Sequence, residues 1–193
     1  MKTSRLLAFL IIVLSLAGCG KTPSNATQAA AKADRVAADA IYETVAAKAS
    51  GFTVGNMMST RVVYVMFDPQ CPHCGRLWET AKPLLGQIRM VWAPVRFAGE
   101  LSGRQGAVLL ASKDPVAEMD AHERSLEAKR GGLVPPTEIA PELLAKIKTN
   151  TELMPAIGAE SVPFIIYKNP ATGQSASFEG AMETADLKKL LGL

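Results

Sequence analysis

RVVYVMFDPQCPHCGRLW, residues 61–78, places two cysteines between a strand pattern and a helix pattern. Residues 61–67 are rich in β-branched and aromatic side chains and have the length of a buried strand. The next three residues, Asp-Pro-Gln, are typical of a turn. From residue 75 to residue 85 the apolar positions recur at helical spacing. The sequence therefore predicts that Cys71 and Cys74 lie where a strand is followed by a helix.

The spacing of these cysteines indicates redox chemistry. The free N–H groups and the positive dipole end of a helix start stabilise a thiolate, which is the nucleophilic form of cysteine. Pro72 suits the first helical turn because its missing N–H would have had no partner there. With two residues between them, both sulfurs can reach disulfide distance within one turn. We expect Cys71 to be the exposed nucleophile and Cys74 the resolving thiol.

Other interpretations of the same motif are weaker. Cys71, His73, Cys74 and distant His122 could supply four zinc ligands, but zinc sites usually bring a second matched pair of ligands. Covalent haem attachment requires a histidine directly after the second cysteine, where this chain has Gly75. Two inert core cysteines are also disfavoured, because turn-forming and polar residues surround the pair. We expect no metal and no cofactor.

A second motif lies about ninety residues downstream. Residues 158–167 read GAESVPFIIY, in which Pro163 precedes a strongly apolar strand pattern. Proline is permitted at the first residue of a strand, so by itself this could be an ordinary start of an edge strand. Between the two motifs, residues 88–95 predict a further strand. Helical patterns cover residues 105–111, 116–129 and 141–148, and a closing helix is predicted over residues 184–191 with Thr184 as its N-cap.

The N-terminus predicts export and lipid attachment. Lys2 and Arg5 precede the apolar run of residues 6–17, which at twelve residues is shorter than the roughly 20 that a membrane-spanning helix needs. Residues 16–19 (LAGC) then resemble the bacterial lipobox, which predicts a signal peptide over residues 1–18 and acylation of Cys19. In signals of this kind, an aspartate directly after the cysteine tends to retain the protein at the inner membrane. This chain has Gly20 at that position, so we expect it to face the periplasm from the outer membrane.

The rest of the chain predicts one catalytic domain on a tether. The 193 residues carry a net charge of +3 and three cysteines, so acylation of Cys19 would leave only Cys71 and Cys74 as thiols. No basic stripe with interleaved aromatic residues suggests nucleic-acid binding. Residues 19–50 read as a polar tether and an Ala-rich linker helix over residues 27–50. Residues 51–193 form the predicted catalytic domain.

Three segments together resemble the DsbC/DsbG family of periplasmic disulfide isomerases and reductases. They are residues 65–78, residues 111–115 (ASKDP) and residues 158–167. The resemblance implies a thioredoxin fold of class α/β, with a helical insertion that residues 103–157 fit. It also implies a cis peptide bond at Val162-Pro163, which would face the redox cysteines and offer the Val162 backbone to substrate.

The departures from this family leave the direction of electron flow open. Pro72-His73 and Val162 look like the oxidase DsbA, and a histidine between the cysteines can stabilise the Cys71 thiolate. Only about 30 residues separate Cys19 from Gly51, so we expect the family's N-terminal dimerisation domain to be lacking. The resemblance implies a DsbG-like reductase or isomerase that acts on periplasmic clients with a DsbD-type membrane thiol donor. A DsbA-like oxidase with a DsbB-type oxidant is the alternative, and a non-catalytic, lipid-anchored assembly factor is an alternative of another class.

Overall fold

The computed structural model describes residues 35–193. The predicted signal peptide, Cys19 and the first part of the tether lie outside the described residues. Five strands form one mixed sheet in the order β1-β3-β2-β4-β5. Their bounds are β1 Phe52–Gly55, β2 Val62–Phe67, β3 Arg89–Pro94, β4 Phe164–Lys168 and β5 Ser175–Glu179.

The central strands β2, β3 and β4 are the ones that the sequence predicted. Their residues are mostly buried, as expected for strands covered on both faces. Strand β2 runs parallel to β3 and antiparallel to β4, so that Val65 lies opposite both Trp92 and Ile165. The edge strands β1 and β5 pair antiparallel with β3 and β4. We did not predict them, because β1 has four residues and β5 is mostly polar.

Six α-helices surround this sheet: α1 Ile41–Lys48, α2 Pro72–Ala81, α3 Glu100–Ala111, α4 Pro115–Glu127, α5 Pro141–Ala156 and α6 Thr184–Leu190. Along the chain, helices α3, α4 and α5 follow β3 and precede β4, and they form the predicted helical insertion. Helix α3 begins five residues earlier than its pattern indicated, and α5 continues eight residues further. No helix of residues 35–193 is long and apolar enough to cross a membrane.

An aromatic cluster fixes the redox helix α2 to the sheet. Trp78 of α2 packs edge-on against Trp92 of β3, with ring centroids 5.1 Å apart, and Phe67 contacts Trp92 in the same way at 5.4 Å. Both tryptophans are almost fully buried. The Trp78 indole N–H also donates a 2.7 Å hydrogen bond to Asp120 of α4. The core therefore sets the position of α2 against both the sheet and the insertion.

The N-terminal segment differs from the predicted linker helix over residues 27–50. Within the described residues, helical structure begins only at a short 3-10 turn, Ala38–Ala40, and Ala37 before it is extended. The Val36 N–H donates a hydrogen bond to the Ala156 carbonyl at the end of α5, which takes the chain out of helical geometry. Helix α1 buries Ile41 and Val45 in the core. Residues 35–50 thus pack on the domain, and residues 27–34 of the predicted linker helix lie outside the described residues.

Two further helix boundaries differ from the predictions. Helix α2 starts at Pro72, as its first-turn proline indicated, but ends at Ala81 and continues as a 3-10 turn, Lys82–Leu84, because Pro83 cannot donate to the helix ladder. Thr184 was predicted to be an N-cap, and that prediction is wrong. Glu183 occupies the cap position, and the Thr184 hydroxyl donates to the Thr80 carbonyl instead.

Candidate active site

The redox cysteines lie at the junction of β2 and α2. Cys71 is the N-cap residue of α2 and is half-buried, whereas Cys74 is fully buried one turn later. The Cys71 N–H donates to the Asp68 carbonyl at 3.0 Å, and the Cys71 carbonyl accepts from the Cys74 N–H at 2.9 Å. Both cysteines are free thiols. The first sulfur is therefore accessible, and the second lies behind it.

The surroundings of Cys71 favour its thiolate. The pKa of Cys71 is lowered to about 6, and a hydrogen bond from the Cys74 side chain is the largest cause. Partial burial opposes this effect, while the backbone N–H groups of Cys74 and His73 and the positive charge of His73 add to it. A substantial fraction of Cys71 is then ionised at neutral pH, which is the state required for attack on a disulfide.

Cys74 has the opposite environment. Burial raises its pKa well above the ordinary value for a thiol, and its hydrogen bond to the negatively charged Cys71 raises it further. Cys74 is therefore protonated as long as Cys71 is a thiolate. The site therefore combines a reactive thiolate, Cys71, with a protonated thiol, Cys74.

The Val162-Pro163 segment faces this pair across the end of the sheet. Strand β4 begins where β2 ends, because the two strands are antiparallel and Met66 pairs with Phe164. The Val162–Pro163 peptide bond is cis, as predicted. The Cys71 thiol lies 3.6 Å from the Val162 carbonyl oxygen. The fold thus brings together two motifs that are ninety residues apart in the chain.

The buried carboxylate of Asp68 holds the loop that carries Cys71. One of its oxygens accepts from the Gln70 N–H at 2.8 Å, within the turn that the sequence predicted. The other accepts from the N–H groups of Phe97 and Ala98, both at 2.7 Å, in the loop after β3. Asp68 therefore joins the loops that follow two neighbouring parallel strands.

His122, considered above as a possible metal ligand, supports the same loop from the insertion. Its Nε2 lies 2.7 Å from the Pro69 carbonyl oxygen, and its Nδ1 accepts from the Leu133 N–H at 3.0 Å. Burial lowers the pKa of His122, so the ring is neutral. His73, by contrast, is exposed at the start of α2. Within residues 35–193, no three His, Cys, Asp or Glu side chains are grouped so that they could hold a metal ion.

Glu123 is a residue of the site that the motifs did not reveal. It lies on α4, is 7% exposed, and contacts the backbone of Gly75, where a Cβ atom would come within van der Waals overlap of the carboxylate. Burial, helped by the negative charges of Glu127, Glu79 and Cys71, raises the pKa of Glu123 to about 7. Helical spacing from Met119 could have placed Glu123 on the inward face of α4. The contact between Glu123 and α2 could not be predicted, because it depends on how the two helices pack.

The described geometry can carry out thiol-disulfide exchange. It combines an accessible, acidic thiol, a buried partner thiol within hydrogen-bond distance, and a backbone carbonyl next to the reacting sulfur. An extended polypeptide that reaches Cys71 would pass the Val162 backbone. Such an arrangement transfers two electrons between a dithiol and a disulfide and needs no bound cofactor to do so.

Comparison with curated proteins finds two relatives, both thiol:disulfide interchange proteins DsbG. The chain is 35% identical to the protein from Pseudomonas aeruginosa over 140 residues, which cover 72% of this chain and 54% of that protein. It is 32% identical to the protein from Escherichia coli K12 over 111 residues, 55% of this chain and 43% of that protein. The chain thus spans about half the length of the curated relatives it matches.

Comparison with solved structures identifies the fold. A periplasmic thioredoxin-like protein from Salmonella enterica serovar Typhimurium superposes with a TM-score of 0.64 at 16% sequence identity, over 82% of this chain and 97% of that one. At this identity the likeness concerns the fold alone. No protein-family model matches the chain.

Proposed function

We propose that this chain, a DsbG-like protein of the thioredoxin superfamily, is a thiol-disulfide oxidoreductase that reduces or isomerises disulfides of envelope proteins through Cys71 and Cys74. One observation carries the proposal: the half-buried Cys71 has a pKa lowered to about 6 at a helix start, with the Cys74 thiol directly behind it. The similarity to DsbG over 72% of the chain supports the same chemistry.

The first chemical step is attack of the Cys71 thiolate on one sulfur of a substrate disulfide. The substrate S–S bond breaks, a mixed disulfide forms between Cys71 and the substrate, and the second substrate sulfur leaves as a thiolate. Backbone hydrogen bonding to the Val162 segment would hold the substrate beside Cys71, in the manner of a short added strand. The helix start and the His73 charge stabilise the Cys71 thiolate before attack and as a leaving group.

The second step releases the substrate. Once Cys71 is in the mixed disulfide, its negative charge no longer raises the pKa of Cys74, so Cys74 loses its proton more readily. The Cys74 thiolate then attacks the Cys71 sulfur and expels the remaining substrate thiolate. The two electrons of the dithiol have passed to the substrate, and Cys71 and Cys74 are joined. A dithiol donor must reduce this bond before the next turnover.

A DsbA-like oxidase is the second candidate, and one observation favours it. A thiolate stabilised by His73 and by helix-start N–H groups favours the reduced protein, which makes its disulfide more oxidising. We give more weight to the similarity to DsbG, since it spans 140 residues whereas the motif between the cysteines has two. A few substitutions can change the redox potential of a protein within one fold, so the two residues between the cysteines carry less weight than the similarity of the whole domain.

We further propose that the chain works in the periplasm, anchored by a lipid on Cys19, with the outer membrane favoured. Its clients would be periplasmic proteins with cysteines or disulfides, and a membrane thiol donor of DsbD type would restore Cys71 and Cys74. The predicted signal peptide, the LAGC sequence of residues 16–19 and the similarity to DsbG support this proposal.

Insulin reduction tests the activity. The reduced protein, supplied with dithiothreitol, should precipitate insulin chains faster than dithiothreitol alone, and Cys71→Ser should abolish the gain. Cys74→Ser should accumulate mixed disulfides, because release of the substrate needs the second thiol. Equal rates for wild type and Cys71→Ser would contradict the proposed function.

The direction of electron flow is tested by acid trapping of living cells followed by a maleimide mass shift. A reductase or isomerase should be found with Cys71 and Cys74 as thiols. A pair that is almost wholly disulfide, together with reduced envelope proteins accumulating in Cys71→Ser cells, would establish the oxidase instead.

A further inference from the structure

A cavity of about 540 Å³ opens beside the redox motif, between α2 and α4. Gln70, Pro72 and Gly75 form the wall nearest the cysteines, so the cavity directly adjoins the position that a substrate must reach. Leu126 on α4 and Pro72 provide apolar surface in the cavity. None of these residues has a role in the two chemical steps described above.

The charged groups of the cavity are mainly carboxylates. Glu79 of α2, Glu123 and Glu127 of α4, and Glu183 before α6 all line it, together with one basic residue, Arg76. Glu79 is already paired with Lys82 at 2.7 Å. Among the described residues, none of the other three carboxylates forms an ion pair. The cavity therefore has an excess of negative charge.

Glu123 gives this cavity a feature that an ordinary acidic surface lacks. Its side chain is more than nine-tenths buried, and its Oε1 has no hydrogen-bond partner among the described residues. Burial of a carboxylate oxygen without a partner is unfavourable, whereas a hydrogen bond from a cation compensates for it. An ammonium or guanidinium group that enters the cavity would supply that bond once the Glu123 side chain turns its Oε1 toward the cavity.

We propose that this cavity binds a lysine or arginine side chain of the substrate polypeptide and so selects substrates that carry a basic residue close to the reacting cysteine. The carboxylates of Glu123, Glu127 and Glu183 would receive the cationic head, and Leu126 and Pro72 would pack against its aliphatic stem. The inference rests on the proposed function, since it takes Cys71 to be the residue that polypeptide substrates approach.

The test uses matched peptide disulfides and the full chain. Each peptide has one cysteine, linked by a disulfide to a quencher, and a single lysine placed in turn at each of the four positions on either side of the cysteine. Reference peptides carry glutamine at those positions. The rate constant for reduction by the protein is divided by the rate constant with dithiothreitol, because a nearby lysine also accelerates uncatalysed exchange.

We expect at least one lysine position to be reduced about tenfold faster than its glutamine reference, as hydrogen bonds to charged groups permit. Two variants should lower this ratio to about twofold or less. They are the single variant Glu123→Gln and the double variant that combines Glu127→Gln with Glu183→Gln. The exposed Glu142→Gln on α5 is the matched control and should keep it. No preference at any position, or a preference that survives both sets of variants, would overturn the inference.

A second measurement separates this inference from the proposed function. Cysteine-free lysine peptides, labelled with a fluorophore, are titrated against the Cys71→Ser protein, and binding is followed by anisotropy. Binding that weakens at least fivefold in Glu127→Gln with Glu183→Gln supports the cavity even if no peptide is reduced. Equal binding of lysine and glutamine peptides contradicts the cavity even if reduction is efficient.

Discussion

At the residue scale, the central feature is the difference in acidity between two thiols one helical turn apart. We expect iodoacetamide to label Cys71 with a midpoint near pH 6, because the Cys74 side chain, backbone N–H groups and His73 stabilise the thiolate. Cys74 should resist labelling in the folded protein, since it is fully buried and its pKa is raised. Rates measured from pH 4 to pH 9, with the modified residue identified by mass spectrometry, check this.

Two variants rank the causes of the lowered pKa of Cys71. Cys74→Ala should raise the pKa of Cys71 more than His73→Gln does, because the hydrogen bond from Cys74 is the largest stabilising contribution and the His73 charge is the smallest. Arg76→Gln, an exposed basic residue on the same helix, is the control for a general loss of positive charge. Labelling of Cys74 before Cys71 would show that the assignment of the two roles is wrong, and a larger effect of His73→Gln would show that the ranking of the causes is wrong.

At the scale of elements, Asp68 connects the loops after β2 and β3 through three backbone N–H groups. Asp68→Asn places an amide N–H₂ against at least one of these donors, whichever way the amide is turned. We expect a loss of roughly 1–3 kcal/mol in the free energy of unfolding, the usual cost of a buried polar group left without its partner.

Urea unfolding at neutral pH measures this loss. The exposed Asp39→Asn serves as the control, and its unfolding free energy should change by less than about 0.5 kcal/mol. If Asp68→Asn and Asp39→Asn have the same stability, the carboxylate does not hold the two loops together.

Helix α4 carries the second element-scale prediction, because it buries Glu123 against α2. The pKa of Glu123 is raised from 4.5 to about 7 in the folded protein by burial, so ionisation destabilises the fold. That cost is absent below about pH 4.5, where the carboxyl is protonated in both states, and is complete above about pH 7. Glu123→Gln cannot ionise and should therefore gain stability relative to wild type as the pH rises, by about 3 kcal/mol at most.

Urea unfolding of both proteins between pH 4.5 and pH 8.5 tests the sign of this effect. Glu142→Gln, which removes an exposed carboxylate from α5, should show no such trend. A stability difference between Glu123→Gln and wild type that stays constant with pH would mean that the carboxyl titrates at its ordinary value in the folded protein.

At the scale of the whole molecule, the described residues form one sheet with helices around it, and the membrane attachment is a prediction from the sequence. We expect Cys19 to be acylated, so that the native protein incorporates labelled palmitate and partitions into detergent. Cys19→Ala should take up no label and be processed differently or released into the soluble envelope fraction. A soluble wild-type protein without label would contradict the lipid anchor and leave Cys19 as a third thiol.

The sequence alone was sufficient for the local structure of the redox site. Strand β2, the turn after it and the start of α2 follow from residue type and spacing within eighteen residues, so the position of Cys71 and Cys74 at a helix start was predictable. The three central strands and the helices of the insertion were predictable for the same reason. Long apolar or periodic segments can be recognised from the sequence without any knowledge of their tertiary contacts.

Tertiary structure decided what depends on neighbours that are distant in the chain. The short β1 and the mostly polar β5 become strands because β3 and β4 offer them free edges. Residues 35–37 are not helical as predicted, because Val36 bonds to the end of α5. Glu123 reaches Gly75, and His122 reaches Pro69, only when α4 packs beside α2. Periodicity can show that a residue faces inward, but the partner it meets there depends on how the elements pack.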